Sequence, residues 1–217
     1  MPQIRSPLVP VVVLDDAAQA APLADALIAG GLPIVEITLR TPAGLAAIER
    51  LADRGDISVG AGTVLNPDQL DQALDAGAEF IVSPGSSPAL MERAASRQAW
   101  LIPGAATASE ILQVLEWGMT EIKFFPAAAS GGKELLKALA APFRQVHFIP
   151  TGGIGPANLA QYLSLSCVSA VGGSWMVPRR AITEGDFAGI KRLVSQAAGL
   201  AAGIVAEKNQ RRSNARS

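Results

Sequence analysis

The sequence predicts an α/β protein of the (β/α)8 TIM-barrel class, folded as a single domain. Three observations carry this expectation. Short runs rich in Val, Ile and Phe alternate with Ala- and Leu-rich stretches of helical spacing, and eight such runs can be read. Strict alternation implies parallel strands joined by crossover helices, and eight units favour a closed barrel over an open sheet. The 217 residues suffice for one full core, and 49% of them are hydrophobic at a mean hydropathy of +0.30, which indicates extensive burial.

Taken in order, strands are expected over residues 9–14, 33–39, 58–63, 80–83, 100–103, 121–125, 147–151 and 168–172. Helical spacing falls over 17–29, 42–52, 67–76, 87–95, 108–117, 133–140 and 156–163, and a last helix over 186–207. Thr41-Pro42, Asn66-Pro67, Ser87-Pro88 and Gly155-Pro156 read as helix starts, where the first turn tolerates a missing N–H. Gly30-Gly31, Gly77 and Gly118 read as left-handed helix ends. The barrel is therefore expected to occupy residues 1–206 without an internal linker. Residues 207–217 carry four basic residues against one acid and read as a disordered, solvated terminus.

Composition narrows the function. A formal charge of −1 creates no global field for nucleic acid or anionic lipid, so neither is an expected partner. The single cysteine, Cys167, excludes an internal disulfide and reads as a small core residue; the single histidine, His147, reads as a strand-edge residue. No His/Cys/carboxylate cluster has zinc spacing, so no metal is expected. The opening Met-Pro-Gln-Ile-Arg-Ser-Pro lacks the form of a signal peptide, and no apolar run is long enough for a bilayer. A cytoplasmic, soluble protein without membrane contact is expected.

The sixth strand holds the most unusual placement. In Thr120-Glu-Ile-Lys-Phe-Phe-Pro126 one lysine interrupts an apolar run, and alternation sets Lys123 on the same face as Glu121 and Phe125. Burial of an amine favours its neutral, nucleophilic form, which attacks carbonyls to give imines. The plainer alternative is a lysine whose head reaches water at the strand end.

The second strand places Glu36, Thr38 and Arg40 on one face and Val35, Ile37 and Leu39 on the other. Glu36 and Arg40 are separated by about 13 Å along a strand, too far to pair directly. Barrel interiors are filled in layers from alternate strands, so Glu36 of strand two and Lys123 of strand six can share a layer. An acid facing an amine is what imine chemistry requires as a proton shuttle. Arg40 offers a bidentate site for a substrate carboxylate. Strand three, Val59-Gly-Ala-Gly-Thr63, permits close backbone approach and ends in a hydroxyl, although a tight turn explains its glycines equally well. Thr151-Gly152-Gly153-Ile154 and Gly172-Gly173-Ser174-Trp175 follow strands seven and eight, where barrels build phosphate sites from backbone N–H groups.

With these residues placed, the sequence resembles the class I 2-keto-3-deoxy-6-phosphogluconate (KDPG) and 4-hydroxy-2-oxoglutarate aldolase family. The resemblance rests on Val35-Glu-Ile-Thr-Leu-Arg-Thr41, Val59-Gly-Ala-Gly-Thr-Val-Leu-Asn66, Ser83-Pro-Gly85, Ile102-Pro-Gly104, Lys123-Phe-Phe-Pro126, Pro150-Thr-Gly-Gly-Ile154 and Gly172-Gly-Ser-Trp175, in the family's order. It implies that Lys123 forms a Schiff base with pyruvate and that Glu36 is the general acid/base, through a water. It also implies that Arg40 and Thr63 bind the pyruvate carboxylate and that Thr151 influences stereochemistry. Gly152, Gly153, Gly173 and Ser174 would take the phosphate. A lyase of the Entner-Doudoroff pathway, a homotrimer, a small-molecule substrate and no cofactor are further implications.

The chain departs from the family's pattern in two places. Only a short lead precedes Val9 where members commonly carry a helical segment under the barrel, and Ala127-Ala128 stands where many have Ala-Glu. Altered loop contacts are expected from the second. Competing readings are a 2-keto-3-deoxy-6-phosphogalactonate aldolase, a metal-assisted transferase resembling thiamine phosphate synthase, and a noncatalytic phosphometabolite-binding barrel whose Lys208, Arg211, Arg212 and Arg216 touch RNA.

Overall fold

The computed structural model describes residues 3–214, apart from the side chain of Arg212; Arg216 thus lies outside the described residues. The strands are β1 (Leu8–Val12), β2 (Ile34–Thr38), β3 (Ser58–Gly62), β4 (Phe80–Val82), β5 (Leu101–Ile102), β6 (Glu121–Phe124), β7 (His147–Pro150) and β8 (Val171–Gly173). A 3-10 turn at Ala17–Gln19 leads into α1 (Ala20–Ala29). Then come α2 (Ala43–Ala52), α3 (Pro67–Asp75), α4 (Pro88–Ser96), α5 (Ala108–Glu116), α6 (Gly132–Ala140), α7 (Leu159–Leu163), α8 (Arg179–Thr183) and α9 (Phe187–Asn214).

All strand pairing is parallel. One sheet has the order β5-β4-β3-β2-β1-β8, and β6 pairs with β7 in another. Isolated bridges join Gly104 to Lys123, Phe148 to Val168 and Thr151 to Gly172. This is an α/β fold with one strand–helix alternation running through the chain, as the periodicity predicts.

Asn66 and Ser87 cap α3 and α4 by accepting the N–H of Gln69 and Leu90, with proline next in line. Gly31, Gly77 and Gly118 take φ of 90°, 90° and 71°, the left-handed conformation expected just beyond a helix. Pro156 differs from expectation. It lies in a turn, and α7 begins only at Leu159, because Asn158 Oδ1 accepts the Gly155 N–H and holds the turn. The short helix α8 leaves no sequence signal, since five residues hold barely one helical period. Strand β8 starts at Val171, three residues late, while Val168 contacts β7 only through its bridge to Phe148.

The last helix does not stop at Glu207. It continues through the basic segment to Asn214, and Lys208 Nζ donates to the carbonyls of Leu163 (3.1 Å) and Val168 (2.8 Å). Among the described residues, no helix is long and apolar enough to cross a membrane.

The core has two parts. The larger lies between strands and helices and holds the outward strand residues Val35, Ile37, Ile122 and Phe124. The smaller fills the interior faced by the strands with Ile4, Val9, Ile34, Phe80, Val82, Ile102, Ile149 and Ala170, and Trp100 packs against it with its ring 5.5 Å from that of Phe80. Strand period decides what comes next. Two residues beyond Ile34 stands Glu36, and two beyond Ile149 stands Thr151, so the apolar plug supports a polar layer at the C-terminal ends of the strands. Glu121 faces the opposite end. Its Oε1 accepts the Ile4 N–H at 3.3 Å, its Oε2 is buried without a hydrogen-bond partner, and burial pushes its carboxyl above the usual carboxylate range.

Candidate active site

Lys123 Nζ donates to Glu36 Oε1 at 2.9 Å, and the two residues are only 4% and 3% exposed. Strands β2 and β6 belong to different sheets, so this contact crosses the interior, as the layer argument predicts. The ammonium also sits 5.6 Å from the centroid of the Phe125 ring. Two charges so deeply buried need each other. Removing one partner strands the other in an apolar surround, at a cost of about 3–5 kcal/mol.

Close approach, rather than a turn, explains the glycines of β3. Neither Gly60 nor Gly62 has a positive φ. A Cβ on Gly62 would lie 2.2 Å from Glu36 Oε1, and one on Gly60 would lie 2.1 Å from the Phe80 ring. These two hydrogens are the room in which the carboxylate and the plug are seated. Thr38 helps fix the same strand by donating to the Val12 carbonyl at 2.8 Å.

At the strand mouth, Arg40 Nε donates to Thr63 Oγ1 at 3.1 Å. Thr63 has φ of 60°, a left-handed conformation that costs a β-branched residue about 1–3 kcal/mol and that collects at functional sites. A cavity of about 270 Å³ opens beside them, lined by Arg40, Phe125, Thr151, Gly152, Gly153, Gly173, Ser174 and Arg179 among others. Lys123 and Glu36 border a smaller void of about 10 Å³ beneath it, and Thr151 lines both. Thr151 is therefore the link between the amine and the glycine-rich end. Thr63 lines neither space and reaches the cavity only through Arg40.

The two glycine clusters divide into different tasks. Gly152 and Gly153 have φ of 100° and 73°, so their backbone takes a shape closed to other residues. Gly172 makes space for Thr151, whose Oγ1 would lie 2.3 Å from an added Cβ, and Gly173 makes space for the Trp175 ring. Ala128, which stands at the departure from Ala-Glu, packs against the first glycine cluster. Its N–H donates to the Gly152 carbonyl at 3.0 Å, and its Cβ lies where a side chain on Gly153 would fall.

Sequence reasoning missed Arg179 and Asp15. Arg179 lies on α8 and forms a side-on pair with Asp15, Nε to Oδ2 at 2.8 Å and Nη2 to Oδ1 at 2.5 Å. The guanidinium holds the Asp15 carboxyl below its ordinary range. The only available signal was a basic pair, Arg179-Arg180, shortly after a glycine cluster.

Among the described residues, no second buried amine–carboxylate pair is found. A larger groove of about 560 Å³ runs beside α6 and is lined by Lys137, Arg144, His147 and Cys167 among others, and by neither Lys123 nor Glu36. Its size reflects an open furrow, and burial pushes the Cys167 thiol up rather than activating it. Among the described residues no group of three His, Cys, Asp or Glu side chains is placed to hold a metal.

Residues 3–193 match the family model of KDPG and KHG aldolase. The KHG/KDPG aldolase of Escherichia coli K12 is 47% identical over 192 residues, which cover 88% of this chain and 90% of that protein. A crystal structure of KDPG aldolase from Legionella pneumophila, with pyruvate captured as a covalent carbinolamine intermediate, superposes with a TM-score of 0.86 at 44% identity, covering 88% of this chain and 94% of that one. The KDPG aldolase of Zymomonas mobilis ZM4, crystallised with 3-phosphoglycerate, gives 0.85 at 45% identity over 90% and 92% of the two chains. By sequence along nearly its whole length and by fold, this chain belongs to the KDPG and KHG aldolase family.

Proposed function

We propose that the chain is a class I aldolase that cleaves 2-keto-3-deoxy-6-phosphogluconate to pyruvate and glyceraldehyde 3-phosphate, and 4-hydroxy-2-oxoglutarate to pyruvate and glyoxylate. The observation that carries this reading is the buried contact of 2.9 Å between Lys123 Nζ and Glu36 Oε1. The contact is a proton route. Glu36 takes a proton from Lys123, the neutral amine attacks the C2 carbonyl, and Glu36 returns that proton to the carbinolamine hydroxyl, which leaves as water to give a protonated imine. Glu36, through a water, then takes the proton of the C4 hydroxyl. The C3–C4 bond breaks, the aldehyde leaves, and the electron pair enters the imine to form an enamine. Protonation at C3 and addition of water return pyruvate and the free amine.

In this reading Arg40, braced by Thr63, holds the carboxylate of the keto acid, and Thr151 sits by the carbon that bears the new hydroxyl. Gly152, Gly153, Gly173 and Ser174 take the phosphate on backbone N–H groups. Residues 1–206 form one domain, and the bridges Gly104–Lys123 and Phe148–Val168 support closure of its two sheets into a (β/α)8 barrel. Residues 207–214 continue its last helix, tied back to it by Lys208. A cytoplasmic homotrimer is proposed on family grounds, and the exposed apolar residues Leu65, Leu112 and Leu200 are candidates for its contacts.

Borohydride reduction in the presence of pyruvate tests the assignment. Wild type should gain one pyruvate-derived adduct, mapped to Lys123 by peptide mass. Lys123→Met should gain none. Glu36→Gln should still be trapped while cleavage falls about 10²–10⁴-fold. An adduct on Lys123→Met would refute the assignment.

A further inference from the structure

A phosphate monoester carries a charge of about −1.5 to −2 near neutral pH, yet the glycine cradle offers it only uncharged N–H groups. Two cationic side chains line the cavity, Arg40 and Arg179. Arg40 is committed to Thr63 on the side assigned above to the carboxylate. Arg179 belongs to the glycine-rich end, just past the turn in which the Val177 N–H donates to the Ser174 carbonyl.

The pairing with Asp15 decides which edge of the guanidinium is available. Asp15 takes Nε and Nη2, and among the described residues Nη1 makes no hydrogen bond. Arg180, next along, is turned to Glu184 at 2.7 Å and does not line the cavity. A plain surface ion pair of this exposure would contribute little to stability. One placed against an anion cradle, with a fork edge open, matches the bidentate recognition of phosphate at which arginine excels.

We propose that Arg179, steered by Asp15, is a specificity residue that supplies the positive charge for the phosphate monoester of the substrate and so favours phosphorylated 2-keto acids over unphosphorylated ones. The proposal rests on the aldolase reading above. Both side chains are exposed, 60% for Arg179 and 42% for Asp15, so substitution leaves the fold intact, which circular dichroism verifies.

The experiment compares kcat/KM for 2-keto-3-deoxy-6-phosphogluconate with that for 4-hydroxy-2-oxoglutarate. In Arg179→Ala the ratio of the two should fall about 10- to 100-fold, chiefly through KM of the phosphorylated substrate. Inhibition of 4-hydroxy-2-oxoglutarate cleavage by inorganic phosphate should weaken in parallel. Arg179→Lys, which keeps the charge but loses the fork, should recover part of the ratio. An unchanged ratio, an equal fall on both substrates, or no recovery with lysine would overturn the role given to Arg179. A wild-type protein that cleaves neither substrate would instead overturn the aldolase reading itself.

Discussion

Adding one methyl group at Gly62 should disable the proposed chemistry without touching any reacting atom. The new Cβ would stand 2.2 Å from Glu36 Oε1, 2.6 Å from its Cγ and 2.8 Å from its Cδ, whereas ordinary contact begins at 3.4 Å. Three atoms of one side chain are struck together, so rotating the carboxylate alone does not clear the clash. Glu36 must retreat by roughly 1 Å or more, out of its hydrogen bond to Lys123, beside a void of only about 10 Å³. A misplacement of that size costs about 10²-fold in rate, and the overpacking about 1–3 kcal/mol in stability. Gly60→Ala is the matched control. Its Cβ would strike the Phe80 ring at 2.1 Å, in the apolar plug, and its three nearest atoms all belong to Phe80 rather than to Glu36, its partner in the β2–β3 register. Both variants should lose comparable stability in urea titrations. Below their unfolding transitions, Gly62→Ala should lose kcat while Gly60→Ala keeps it. A Gly62→Ala protein with wild-type kcat, or equal losses in the two folded variants, would refute the reasoning.

The remaining predictions concern stability. Burial raises the Glu121 carboxyl, so the native protein holds that proton more tightly than the unfolded chain does. The contribution of Glu121 to stability should therefore fall as pH rises from about the ordinary value of 4.5 through the raised native value, and be flat on either side. Glu121→Gln should remove this slope and raise the urea midpoint near neutral pH; an unchanged slope would show that another group is responsible. Lys208→Met should cost about 1–3 kcal/mol, since the carbonyls of Leu163 and Val168 lose a charged donor. Differential scanning calorimetry should show a melting temperature lower by several degrees, and none would mean that the end of α9 is held by other contacts.

The parts of this molecule that obey a period were legible in the sequence. Glu36 and Lys123 announce themselves because a charge in a strand-length apolar run has few places to go, and the even-numbered strands place them in one layer. The proline-marked starts of α3 and α4 were legible for a similar reason, since cap and proline act locally. What escaped reading depends on contacts distant in the chain. Gly62 is shaped by Glu36, Gly172 by Thr151 and Gly173 by Trp175, and no local rule separates such glycines from those of a turn. The side-on pair of Asp15 and Arg179 joins segments at opposite ends of the chain, through a helix too short to show its period. The continuation of α9 past Glu207 was hidden too, because polarity in that segment masks the two carbonyls that Lys208 finds.

The register of the first strand sets a timing problem for synthesis. β1 pairs on one flank with β2, but its other flank waits for β8, where Leu8 meets Val171 and Pro10 meets Gly173. At roughly 5–20 residues per second a ribosome needs on the order of ten to thirty seconds to deliver that late neighbour. Through this interval Leu8–Val12 offers a bare hydrogen-bonding edge, the kind that recruits other nascent strands. Slowed elongation or crowded polysomes should accordingly harm the yield of soluble protein more than mild heating of the finished molecule does.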